Sequence, residues 1–251
     1  GLCAAMNQIG GVIATLIAGV LAKVGWNYAF LVYSMGLFVL ILVFLFLPNE
    51  KLAAPKSSGG FIHNLKRFYP SVTGMLLLMI CFFIFPTNFS AVCVKTTSLD
   101  PIAVTIIMVA LDVVAALVGV AFGWCMRRFK QYVKYFSPSF FLLGYLCFAI
   151  SQSVPSLLAG CLFIGIANGI GVPYLNTIAS IKAGQEAATT VMPLLSAALY
   201  AGQFLSPLVA TPLAVKFFPD NNLGIYWIAC VFSILFLLEV FLTRHSQSLP
   251  A

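Results

Sequence analysis

Apolar residues fall in long unbroken runs, and polar residues collect in short stretches between them. The runs occupy 4–23, 28–47, 71–91, 101–124, 136–152, 155–178, 188–213 and 223–243. A helix needs roughly 20 apolar residues to cross the hydrocarbon of a bilayer, so the pattern predicts eight transmembrane helices. The runs are long and do not alternate with period two, which excludes a β-barrel. The expected fold class is an all-α polytopic membrane protein.

The eight runs differ in kind. Those at 28–47, 136–152 and 223–243 carry large aliphatic and aromatic residues on all faces, a composition suited to contact with lipid. The others hold Gly, Ala, Ser, Asn, Gln, Pro or an acid. Every third helix is therefore plain. In the two between, small residues permit close helix contact, and polar ones need partners or a water-filled cavity. "VIATLIAG" at 12–19 is echoed by "LVATPLAV" at 208–215, about 200 residues later, each running into a basic residue and a plain helix. Rhythm and echo together fit a parallel repeat of six-helix halves.

Charge then orients the chain. Lys51, Lys56, Lys66, Arg67, Arg127, Arg128, Lys130, Lys134, Lys182 and Arg244 share one side, and only Lys23, Lys95 and Lys216 the other. The richer side is expected to be cytoplasmic, with both termini on it and the protein in the plasma membrane. The longest polar stretch, 48–70, is basic and broken by Pro48, Pro55 and Gly59-Gly60, as a linker between bundles is. Its second half, "FIHNLKRF", suits the headgroup layer. Residues 1–47 are then the last two helices of one bundle, and 71–251 a six-helix bundle with a short tail. The chain opens on Gly1 without an initiator Met, and is expected to be a fragment.

Composition agrees. Hydrophobic residues make up 62% and charged residues 8%, where a soluble domain carries roughly a quarter charged. Mean hydropathy is +1.07. The net charge of +7 follows from the loop bias and calls for no nucleic acid. The seven cysteines have no metal-ligand spacing and read as apolar packing. His63 and His245 read as solvated loop residues. There is no glycine-rich phosphate loop, no HExxH and no GxSxG, and two histidines with six acids leave most hydrolytic or metal chemistry without components. Neither an enzyme nor a cofactor is expected.

Asp112 is the exception inside the runs. It stands near the middle of "VTIIMVALDVVAALVGVAFGW" at 104–124. A charged Asp at a helix centre costs about 2.5–3.5 kcal/mol on insertion scales. Thr105, Met108, Ala115, Ala116, Gly119 and Gly123 share its face, and Leu111, Val114 and Val118 stand opposite. The acid therefore belongs toward other helices or a cavity. Glu239, about a turn from Arg244, reads as snorkelling to the surface.

Several stretches resemble the major facilitator superfamily of transporters. "GWNYAF" at 25–30 resembles the pattern between that family's fifth and sixth helices, and "PNE" at 48–50 the Pro-Glu ending of the sixth. "GWCMRRFK" at 123–130 resembles the basic loop after the eighth, through Gly123, Arg127, Arg128 and Lys130, with Arg127 where an acid is usual. "AGQFLSPL" at 201–208 resembles a common eleventh-helix pattern. "MNQIGG" at 6–11 keeps the Gly-Gly of the antiporter motif in the fifth helix but lacks its Gly-Pro pair.

The resemblance covers essentially the whole chain, as the fifth to twelfth of twelve helices. It implies a secondary transporter of a small solute by alternating access, whose partners are the bilayer, the solute, possible protons and the four preceding helices. Residues 1–251 by themselves are then not expected to form a full transport path. A truncated product or non-transporting scaffold is the alternative, and an integral-membrane enzyme a weaker one. In such a family Asn88, Asn168, Asn176 and Gln203 become candidates for contact with substrate, or for hydrogen bonds between helices. Asp112 becomes a candidate for proton coupling, with direct binding of substrate or cation, and a tie between helices, as rivals.

Overall fold

A computed structural model describes residues 2–46 and 61–243. In chain order these form α1 (Leu2–Val24), a 3-10 stretch (Trp26–Ser34), α2 (Met35–Phe46), α3 (Phe61–Thr96), α4 (Pro101–Phe129), a short 3-10 turn (Lys130–Tyr132), α5 (Val133–Ile150), α6 (Val154–Phe217) and α7 (Gly224–Leu242). The 3-10 stretch and α2 make one apolar span, Asn27–Phe46. The helix α6 is two spans, Val154–Gly184 and Thr190–Phe217. Eight helices thus stand at the expected places; among the described residues six apolar segments are long enough to cross a membrane, with Pro101–Ile150 continuous across α4 and α5, and Ile9–Leu21 of α1 is a shorter one. Most of the expected linker, with the Pro-Asn-Glu ending, lies outside the described residues, and residues 61–70 are already the first turns of α3.

Local chemistry sets the breaks. Asp100 caps α4, its carboxylate accepting from the Ile102 N–H at 3.1 Å, and Pro101 follows at the first helical position, where its missing N–H costs nothing. Gly184 divides α6 with a φ of 65°, in the left-handed region where a side chain would strain. The division is a fold-back. Asn168 and Gln203 would stand about 50 Å apart on a straight helix, yet both line one cavity.

The core lies among α3, α4, α5, both arms of α6 and α7. Phe85, Phe89, Tyr145, Phe148 and Tyr226 form a continuous aromatic cluster. Two hydroxyls pin consecutive carbonyls of α3: Tyr145 donates to Cys81, and Ser206 donates to Ile80 at 2.9 Å. No residue of α2 is buried, as expected of a plain helix. The other two plain helices are exposed on part of their surface only. Phe141, Tyr145 and Phe148 of α5 and Tyr226 and Phe236 of α7 are fully buried. An outer helix of a bundle still seats one stripe on its neighbours, and uniformly large side chains hide which stripe that is.

The helix α4 brings a correction. Leu111, on the face taken as opposite to Asp112, is only 1% exposed. Val114 and Val118 lie against Gly165 and Gly169 of α6. The exposed stripe is instead Ile106, Val113, Leu117, Val120 and Trp124. Glycines on the partner helix create a groove that receives β-branched residues, and α4 by itself does not reveal it.

Candidate functional site

A cavity of about 550 Å³ lies between α1 and the bundle. Its wall is built from Met6, Gly10, Gly11 and Ala14 of α1, Met79, Phe82 and Phe83 of α3, and Ala115 of α4. Asn168, Gly169 and Val172 of the first arm of α6, and Leu199 and Gln203 of the second, complete it. Ala115 is the central residue of Pro101–Phe129, and Asn168 and Gln203 stand within one residue of the centres of Val154–Gly184 and Thr190–Phe217. Five segments thus meet the cavity near their midpoints.

The lining side chains are mostly apolar, and none among the described residues is charged. The polar ones are two amides. Asn168 is 5% exposed, and its Oδ1 is buried with no partner. Gln203 makes one weak contact, Nε2 to the Met79 sulfur at 3.9 Å. A buried amide is ordinarily satisfied by protein or ordered water, so an unpartnered one beside a cavity marks a place for a ligand or water. Phe82 and Phe83 stand edge to face, with ring centroids 5.5 Å apart.

The other candidates lie elsewhere. Asn88 lines a second pocket of about 220 Å³ at the far end of α3, with Lys95, Thr211, Asn221 and Asn222. Its amide is already used, donating to Ile84 O at 3.0 Å and to Thr87 Oγ at 2.8 Å. Asn176 does not line the central cavity. Gly123, Arg127 and Arg128 are exposed within the last turns of α4, and Lys130 directly follows it, so three of the four expected loop-motif residues are helical.

Asp112 stands one turn from Ala115 but is not part of the cavity wall. It is half-buried. Thr105, two turns earlier on the same stripe, lies against Gly19 of α1, so this stripe is the one turned to α1. Cys161 of α6 is within electrostatic reach of the carboxyl. Among the described residues Asp112 has no hydrogen bond and no ion pair. Charged residues on the neighbouring helices are remote: α1 carries only Lys23 near its end, and the first arm of α6 only Lys182.

Sequence reasoning passed over Met79, Phe82 and Phe83. A signal for their level was present, since Pro86 stands four residues beyond Phe82 on the same face. Neither a curated protein nor a solved structure matches the chain. The family model described as Major Facilitator Superfamily matches residues 1–207. With that match over most of its length, and helices able to cross a membrane at the expected places, the chain belongs to the major facilitator superfamily of membrane transporters.

Proposed function

We propose that the chain supplies the fifth to twelfth helices of a secondary transporter that moves a small solute by alternating access. The observation that carries this reading is the cavity between α1 and the bundle, near the midpoints of its segments, a position where solute sites of such proteins form at the interface of two repeats. In this reading α1 and α2 belong to the first bundle and α3 to α7 to the second. Asn168 and Gln203 contact solute. Both termini face the cytoplasm, and the membrane is the plasma membrane.

Asp112 is the coupling group. It lies beside the seam between α1 and α4, which belong to different bundles and separate when one bundle rocks on the other. A carboxyl with no fixed partner among the described residues at that seam meets a different environment in each state, and so takes up a proton in one and releases it in the other. The test uses the whole protein, with the helices that complete its first bundle, in liposomes under an imposed pH gradient. Gradient-driven solute flux is expected, and Asp112→Asn abolishes the dependence on the gradient while facilitated exchange continues. Unchanged pH dependence in that variant removes Asp112 from the mechanism. Absence of any solute flux favours the scaffold reading.

A further inference from the structure

Three prolines inside helices stand at positions that ordinary packing does not require. Pro86 lies in α3, Pro173 in the first arm of α6 and Pro207 in the second. A proline has no N–H, so the carbonyl four residues before it loses its helical donor, and the ring pushes that carbonyl outward. The three carbonyls are those of Phe82, Gly169 and Gln203. Each of these residues lines the central cavity. The remaining prolines inside helices, Pro70, Pro138, Pro193 and Pro212, have no cavity residue at that spacing. The helices run on through these prolines, and a carbonyl that loses its helical donor at membrane depth needs another one from protein or from a cavity.

The cavity therefore gathers oxygen acceptors on three segments at one depth. The unpartnered Oδ1 of the buried Asn168 side chain is an independent sign of the same need. Phe82 and Phe83 add aromatic faces, which attract a cation. Nothing among the described lining residues is a basic group that pairs with an anion. In the arrangement we infer from this register, the carbonyl dipoles and ring faces turn their negative side to the cavity. An anion buried there meets repulsion from each, whereas a cation exchanges its water for carbonyl oxygens, as ions do in carbonyl-lined filters.

We propose that this cavity takes an amphipathic organic amine as its monocation, held by carbonyl oxygens, the Asn168 amide and aromatic faces rather than by a carboxylate. The proposal rests on the transporter reading for its consequence and on the cavity for its chemistry. The apolar wall of Met6, Met79, Val172 and Leu199 receives the apolar body of the solute.

The test measures binding and transport separately on the whole protein, with three probes of one shape. They are 1-naphthylmethylamine, 1-naphthylacetamide and 1-naphthylacetate, followed by naphthyl fluorescence. The amine is expected to bind most tightly and the acetate least, with about tenfold between the extremes, as loss of charge-assisted hydrogen bonds implies. Asn168→Leu lowers amine affinity several-fold without reordering the apolar contacts, and Gln203→Leu does so more weakly. Asn168→Asp raises amine affinity. Thermal unfolding checks that each variant folds, and the probe series in the unaltered protein decides the matter if one does not. Acetate binding as tightly as amine overturns the proposal, and so does no binding of any probe. Loss of amine binding in Asp112→Asn but not in Asn168→Leu overturns it in favour of a carboxylate site. Amine binding without transport leaves the proposal standing and counts against the transporter reading. Transport of acetate in preference to amine does the reverse.

Discussion

The helix α4 has two seams, and both are rich in glycine. Against the first arm of α6 the helices touch backbone to backbone. A Cβ on Gly165 would stand 2.7 Å from Leu111 O, and one on Gly169 would stand 2.6 Å from Ala115 O. Against α1, Gly19 meets Thr105, where a Cβ would stand 3.2 Å from Cγ2, but Gly10 and Gly11 do another job. Nothing lies within 4 Å of a Cβ built on Gly10 or Gly11, and both line the cavity. One seam uses small residues to exclude space and the other to create it. The first holds two helices of one bundle together. The second runs between helices that, in our proposal, belong to different bundles, and it carries Asp112. A transporter needs both kinds of contact, because a bundle must move as a body and the interface must open.

The sharpest way to break this contrast is to put the same side chain on each seam. Gly169→Leu is expected to eliminate the monodisperse folded protein in detergent, since four heavy atoms have to enter where one already meets backbone. Gly10→Leu should fold and unfold at nearly the unaltered temperature while solute flux drops severely, because the cavity is filled. Equal damage to folding from both would end the distinction. A smaller effect is expected at the contact between α3 and α6. There a Cβ on Gly202 would lie 2.6 Å from Leu76 O and 2.7 Å from Met79 Cβ. Gly202→Ala should cost about 1–3 kcal/mol by overpacking, read as a lower denaturation midpoint.

Ser206→Ala removes the hydroxyl that reaches Ile80 O across the same contact, and about 1 kcal/mol of stability should go with it. The smallest change has the opposite sign. Gly10→Ala adds a methyl to open space and removes backbone freedom from the unfolded chain, so it should stabilise by roughly 0.5–1 kcal/mol. A loss of stability there would mean that α1 and α4 touch more closely than the open space beside Gly10 implies.

The number of helices, a start at Pro101, a break between 178 and 188, and the family were legible in the residues. Each depends on run length, capping chemistry or local motif, which act over a few turns. The candidate amides were legible only as a set. Asn88, Asn168, Asn176 and Gln203 all read alike along the chain, as neutral polar groups at membrane depth. In the structure two of them share a cavity, one is occupied within its own helix, and one lies away from it. The plain helices show the same limit, since the buried stripe of α5 is set by Gly160 and Ile164 on α6, which pack closely on Gly144.

The sequence by itself determined that this chain crosses a membrane repeatedly, and that one acid and a few amides lie at hydrocarbon depth. Hydropathy and hydrogen-bond satisfaction act on each segment separately, so they can be read from it. Only the tertiary structure decided which faces meet. The fold-back at Gly184 brings Gln203 beside Asn168, and the open glycines of α1 leave a space in front of them. Cavities belong to no single helix, because they are what remains when several surfaces fail to close, and that depends on all of them at once.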